Sequence, residues 1–349
     1  MSADSGPVAS LRHLAELTDD QGVVEHALHA LPRREYGYCT DDAGRLLGLA
    51  SRLGDDPHAA RLADAALGFL ERAHVGGATY RLRQRGSGEW TADLSSDDAT
   101  GRALLGLGTA AAWAPWTQVR ERAQRLFDAS SDLRTPHVRA LAYAALGAVE
   151  VVRVAPANHG AAALVARARE ILDAGGRAEW PWPETRLTYA NALLPEAVLA
   201  SAIETRDEAR AERALTRLAW LVGRQTHRGH FSFVAVGGAD EATAPPQFDQ
   251  QAIEAWATAS ACARAFAYTG DVFWSRQVDL AAAWFLGDND VGVAMYDEAT
   301  GGGYDGLSRH GVNLNEGAES SMAFVATMMA LREVRGPGLE STPPAAIQR

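Results

Sequence analysis

The sequence predicts an all-α protein, an (α/α)6 barrel in which six helical hairpins close into a toroid, with short β-hairpins in its loops. Three observations lead there. One local pattern recurs six times: a polar or aromatic loop ends in a helix-start signal, and an apolar helix follows. More polar, amphipathic helices lie between the recurrences. Strand signals are confined to two brief runs, Thr79 to Arg83 and Phe231 to Val236, too short to seed a sheet domain.

The six starts, in order, are TDDAGRLLGLA at Thr40, SDDATGRALLGLG at Ser96, TPHVRALAYAALG at Thr135, YANALLPEAVLA at Tyr189, FDQQAIEAWATA at Phe248 and AESSMAFVATMMAL at Ala318. The interleaved amphipathic helices are expected over His58 to Ala73, Thr117 to Ala129, Gly160 to Ala174, Ala209 to Val222 and Phe273 to Leu286, and a sixth over Val8 to Leu31 precedes the first start. A helix that is apolar nearly all round is stable only when buried, whereas one with a single apolar face belongs at an outer position. Six of each in alternation is the arithmetic of a closed double ring. Its inner helices run parallel, so their N-termini open at one end. A helical solenoid also alternates helices, but here the starts lie 39 to 70 residues apart, and six hairpins favour closure.

The 349 residues are 47% hydrophobic, enough to bury one large core. We expect a single domain over 1–334 and a flexible tail over 335–349, RGPGLESTPPAAIQR. The net charge of −11 supplies no basic field for nucleic acid or an anionic membrane. No uncharged apolar run is long enough to span a bilayer, and Met1 to Ser10 lack a secretory signal, so a cytoplasmic protein is expected. Cys39 and Cys262 offer neither a disulfide framework nor metal-type spacing. There is no GxGxxG beside a strand, no phosphate loop and no GxSxG, and the HRGH run at His227 has no acidic partner at ligand spacing. No cofactor and no metal are expected.

Chemistry concentrates in the segments that open the inner helices. The first carries Tyr36, Tyr38, Asp41 and Asp42, and the second Asp93, Asp97 and Asp98. His137 opens the third; Trp180, Trp182, Glu184, Tyr189 and Asn191 surround the fourth. Asp249, Gln250, Gln251 and Glu254 belong to the fifth, and Tyr304, Asp305, Asn313, Asn315, Glu316 and Glu319 to the sixth. Acidic first turns suit any helix dipole. Yet both Asp doublets have an arginine at the i+4 position, Asp41 to Arg45 and Asp98 to Arg102, which allows an ion pair within the helix. An arginine on a buried helix needs such partners and can fix a carboxylate in its ionised form. Carboxyls crowded at one mouth cannot all ionise cheaply, so at least one should hold a proton. A protonated acid beside a carboxylate is the pair that glycoside hydrolysis requires. Aromatic rings suit sugar faces, and amides suit hydroxyls.

These segments, YGYCTDDAGR, SSDDATGR, WPWPE…YANALLPEA, FDQQAIEA, GGGYDGL and NLNEGAES, together resemble a family of bacterial glycosidase-like (α/α)6 proteins. Its members sit beside, or are fused to, glycosyltransferases and mannoside-processing enzymes. The resemblance spans Tyr36 to Leu331. It implies a carbohydrate substrate, mannoside first, and a functional link to a glycosyltransferase.

The expected activity is hydrolysis of a short oligosaccharide or glycan end, with inversion favoured because a wide funnel separates its carboxyls. One carboxyl from Asp41, Asp42, Asp97 or Asp98 would face Asp249 or Glu316 across the funnel. Tyr38, Asp42, Arg45, Arg102, His137, Trp182, Glu184, Tyr189, Asn191, Gln250, Asn315 and Glu319 are the substrate-binding candidates. Two other readings stand beside it. A sugar epimerase or isomerase would need two histidines poised over the ring, and only His137 is well placed. A non-catalytic glycan-binding partner of a glycosyltransferase would keep the aromatics without opposed carboxyls.

Overall fold

The computed structural model describes residues 9–92, 96–173 and 175–336. Among the described residues twelve α-helices follow one another: α1 (Arg12–Glu16), α2 (Thr40–Arg52), α3 (Ala59–Ala73), α4 (Asp97–Trp113), α5 (Thr117–Ser130), α6 (Val138–Val154), α7 (His159–Leu172), α8 (Leu193–Thr205), α9 (Glu208–Gln225), α10 (Ala252–Thr269), α11 (Val272–Phe285) and α12 (Ala318–Arg335). The even-numbered helices form the inner ring. Each packs on the next, α2 on α4 through to α10 on α12, and α12 closes back onto α2. Helices α3, α5, α7, α9 and α11 lie outside against their partners, and α1 rests on α12. This is the (α/α)6 barrel that the alternation of apolar and amphipathic helices predicts.

Burial follows the sequence pattern. Every residue of α6 from Arg139 to Val151 is buried, whereas α9 buries only one face, through Ala211, Ala214, Leu218, Leu221 and Val222. Between α2, α4 and α6 the backbones meet almost directly. A Cβ on Gly106 would sit 2.1 Å from the Gly44 carbonyl oxygen, and one on Gly108 would sit 2.1 Å from that of Gly147. Glycines in GRLLGLA, GRALLGLG and ALGAV therefore set the register of the tightest third of the ring.

The ring is directional. Asp41–Arg102 and Arg45–Glu319 pairs join helix starts, while Arg52–Glu333 and Arg153–Glu204 pairs join helix ends. Connections at the C-terminal ends of the inner helices span at most six residues, while those entering α4, α6, α8, α10 and α12 span 7 to 32. The long connections carry the short antiparallel pairs His74–Gly76 with Thr79–Tyr80, Tyr38–Cys39 with Arg83–Gln84, Thr226–His227 with His230–Phe231, and Gly306–Ser308 with Gly311–Asn313. Functional groups are accordingly placed at the N-terminal mouth.

Several elements depart from expectation. The segment before α2 forms only the five-residue α1, then a hairpin pairing Ala27–Leu28 with Leu31–Pro32, because the chain turns at Asp19–Gly22. Helix α6 starts at Val138 rather than Thr135, since Pro136 intervenes and the Thr135 hydroxyl instead accepts from the His137 N–H. The YANA segment is a turn, with Ala190 at φ 44°, and α8 begins at Leu193. FDQQ stays extended because the Gln250 backbone exchanges both hydrogen bonds with Leu307, at 2.9 Å each. No helix among the described residues is long and apolar enough to cross a membrane. Helix α12 runs one residue past the expected domain end, and the expected tail lies outside the described residues beyond Gly336.

Candidate active site at the N-terminal mouth

Inner helices α2 and α4 start side by side, and the glycine seam brings their first turns close enough for charges to pair across it. The Arg102 Nη1 lies 2.6 Å from Asp41 Oδ1 and 3.4 Å from Asp98 Oδ2, so those two oxygens are at most 6.0 Å apart. The Tyr189 hydroxyl donates to the same Asp98 oxygen. The Arg102 guanidinium stacks over Tyr143, with its carbon 4.8 Å from the ring centre, and sits 5.8 Å from that of Tyr189. The expected Asp98–Arg102 pair within one helix is present. Asp41, however, pairs across to Arg102 rather than with Arg45.

Arg45 is buried and has its own partners, Asp42 Oδ1 at 2.7 Å and Glu319 Oε2 at 2.5 Å. Burial raises the Asp42 carboxyl to about 6, with Arg45 pulling the other way. Asp42 thus supports Arg45 from beneath and has no surface for a ligand. Next to it Glu25, Cys39 and Asp42 bring their ligand atoms within 4.8 Å of one another. Each is already engaged: Glu25 with Arg83, Asp42 with Arg45, and the Cys39 thiol donates to Asp42 at 3.2 Å.

On the far side, Arg139 of α6 organises the entrance to α8. It donates to Glu184 at 2.6 and 2.7 Å, to the Tyr189 carbonyl at 2.6 Å and to Asn191 Oδ1 at 3.2 Å. It also stacks 4.8 Å from the Tyr189 ring centre. Asn191 is fully buried and passes the connection inward, donating to Glu254 Oε2 at 3.0 Å. Burial raises the Glu254 carboxyl to about 6 despite the Asn191 bonds, and its Oε1 has no partner among the described residues.

Asp41, Asp98, Arg102, Tyr189, Glu184 and Glu319 therefore meet at the mouth, with Arg45, Asn191 and Asp42 directly beneath. Asp97 and Asp249 lie at the rim, half-buried and exposed respectively, and His137 is exposed at the start of α6. Other expected site residues are placed elsewhere. Tyr38 is buried against Phe69, and its hydroxyl donates to Asp19 at 2.9 Å. Trp182 is 1% exposed and stacks on Trp220. Gln250 is fully buried, donating to Asp290 at 2.6 Å and accepting from Trp284 at 3.1 Å. Glu316 is 2% exposed and turned away from the mouth, accepting from the Thr300 hydroxyl at 2.6 Å beside His13. Asn315 accepts from the His29 N–H at 3.0 Å and shapes the loop. Asp93 lies outside the described residues.

Arg139 and Tyr143 belong to the site although their roles are not evident in the sequence. The signal for Arg139 was available, since an arginine within the first two turns of an otherwise apolar helix also marks Arg45 and Arg102. Tyr143 carries no such signal, because a tyrosine in an alanine-rich inner helix reads as core.

No family model matches the chain, and no curated protein does. Solved structures do. A sugar epimerase from a ruminal bacterium is 12% identical, with a TM-score of 0.67 over 93% of this chain and 96% of that one. A D-mannose isomerase is 12% identical, with a TM-score of 0.66 over 93% and 95%. The GH family 9 endoglucanase J30 is 14% identical, with a TM-score of 0.57 over 89% and 74%. At this level of identity the likeness establishes the shared barrel.

Proposed function

We propose that the protein is a carbohydrate-active enzyme, a glycoside hydrolase working at the N-terminal mouth on a short oligosaccharide or glycan end, with mannoside the leading substrate. The observation that carries this reading is the pair Asp41 and Asp98, whose nearest oxygens are at most 6.0 Å apart beside the Tyr189 phenol. Double-displacement glycosidases hold their carboxyls roughly 5–5.5 Å apart, and inverting enzymes about 6.5–9.5 Å. The separation supports retention in place of the inversion that a wide funnel suggests. In this reading Asp41, the closer of the two to the guanidinium, attacks the anomeric carbon. Asp98 gives its proton to the departing glycosidic oxygen, and water then releases the sugar from Asp41 with Asp98 taking a proton back. Glu184, Glu319 and the rim residue Asp249 are assigned to hydroxyl binding.

Epimerisation or isomerisation is the second reading, favoured because the two of the three structures above with the higher TM-scores are an epimerase and an isomerase. Against it stands the mouth itself, where His137 is the one imidazole at an inner-helix start and is exposed. A glycan-binding role beside a glycosyltransferase is the reading left if no turnover occurs. The test is to incubate the full chain with aryl mannosides and mannooligosaccharides and follow the first-formed anomer by NMR. A retained anomer is expected. Deuterium entering C2 of free mannose or glucose in D2O, without glycoside cleavage, would replace hydrolysis with epimerisation.

A further inference from the structure

The three arginines beneath the mouth are not balanced alike. Arg139 faces one carboxylate, Glu184. Arg102 faces Asp41 and Asp98, and in the hydrolase reading Asp98 carries the proton given to the departing oxygen, so one carboxylate remains there. Arg45 faces two, Asp42 from beneath and Glu319 from α12. One negative charge is therefore left over on the side of the ring where α2 meets α12. Asp42 is buried, so Glu319 presents that charge to a ligand.

Layering makes the excess reachable. The side chains of Arg45, Arg102 and Arg139 are 5 to 8% exposed, whereas that of Glu319 is 39% exposed. Its Oε2 faces Arg45, and its Oε1 has no partner among the described residues. The charged groups around it are engaged elsewhere. Arg83 and His26 face Glu25, and Asp305 accepts from the Gly317 N–H at 2.9 Å and the Ser320 hydroxyl at 2.6 Å. The rim above carries both signs, Asp97 and Asp249 with His137 and Arg309, and sets no preference. A reachable carboxylate with unbalanced charge favours a cation. An ammonium supplies the charge and three donors together, whereas a hydroxyl or an acylated amine supplies one donor and no charge.

We propose that the glycan taken by the mouth is a free amino sugar, a 2-amino-2-deoxyhexoside whose ammonium sits on Glu319. Glu319 opens the helix next to that of Asp41. Position 2, beside the anomeric carbon, is therefore the one that reaches it while the glycosidic bond lies at Asp41 and Asp98. The inference rests on the carbohydrate reading of the mouth, and it gives Glu319 an ammonium in place of a hydroxyl.

Calorimetric titration of the full chain with methyl glycosides tests it, using the 2-amino, parent, 2-acetamido and uronate forms in manno and gluco configurations. At about pH 6.5 the amine is protonated. The amino glycoside should bind at one site per chain, about fivefold or more tighter than the parent and acetamido forms, the worth of one part-exposed ion pair. The uronate should bind more weakly than the parent. Salt at about 0.5 M should remove most of the amine's advantage, an arm that needs no variant. Glu319→Gln, with folding checked by circular dichroism, should bring the amino and parent forms to near parity. If the parent or acetamido form binds as tightly as the amine, or if the preference survives in Glu319→Gln, this inference fails and the carbohydrate reading stands. If no glycoside binds, both fall.

Discussion

Asp41 on α2 pairs with Arg102 on α4 at 2.6 Å, and not with Arg45 four residues along its own helix. The cause lies in the backbone. Gly44 and Gly106 let the two helices approach until side chains five residues into α4 reach the first turn of α2. Arg45, displaced from Asp41, finds Asp42 below it and Glu319 on α12. The charges at the mouth thus join neighbouring helices around the ring.

A double-mutant cycle should measure that join. Asp41→Asn combined with Arg102→Met is expected to show a coupling of about 1–3 kcal/mol in urea unfolding, because the pair is largely buried. The same cycle with Arg45→Met in place of Arg102→Met should give a smaller coupling. Equal couplings would mean that Asp41 is shared between the arginines.

The glycine seam makes a prediction of opposite sign at two sites. Gly106→Ala forces a Cβ to 2.1 Å from the Gly44 carbonyl oxygen and should destabilise by about 1–3 kcal/mol or more. Gly223→Ala, on the exposed face of α9 with no atom within 4 Å of the new Cβ, should stabilise by about 0.5–1 kcal/mol. Thermal unfolding of both variants reads the contrast directly.

Glu254 gives a pH dependence. Burial raises its carboxyl from the ordinary 4.5 to about 6, so the native state holds this proton more tightly than the unfolded chain does. Its contribution is most favourable below about 4.5, declines as pH rises to about 6, and is level above that. Glu254→Gln cannot titrate and should gain on wild type by about 2 kcal/mol between pH 4 and 7.5, as judged by urea unfolding. A pH-independent difference would show that the carboxyl titrates normally.

Trp182 separates packing from recognition. Its indole is buried on Trp220, so Trp182→Ala should cost about 3–5 kcal/mol of stability. Tyr189→Phe, which removes the donor to Asp98, should leave stability within about 1.5 kcal/mol and lower turnover. Reversed outcomes would place Trp182 at the sugar.

The barrel was legible because burial imposes periodicity: apolar-all-round and one-faced helices alternate along the chain, and Thr40, Ser96 and Ala318 mark three starts within a residue. The other three starts shifted where local chemistry overrode the pattern, at Pro136, at the YANA turn and at FDQQ, whose backbone is taken by Leu307. At the site, the Asp doublets and their arginines stood out, since charge on a buried helix is costly. Their partners did not, because pairing across helices depends on how closely Gly44 and Gly106 let the backbones approach. Tyr38, Trp182, Gln250 and Glu316 illustrate the remaining gap. Aromatic, amide and acidic residues in long loops serve sugars or packing equally well, and only burial distinguishes the two.

The central claim is that Asp41 and Asp98 act together on a glycosidic bond. Its most direct test is kcat/KM on an aryl mannoside, or on whichever glycoside the wild type cleaves, for wild type, Asp41→Asn and Asp98→Asn, with folding checked by circular dichroism. The account predicts that each folded variant loses at least about a hundredfold, the scale of a lost acid–base or nucleophilic group. Equal turnover in all three proteins would contradict it.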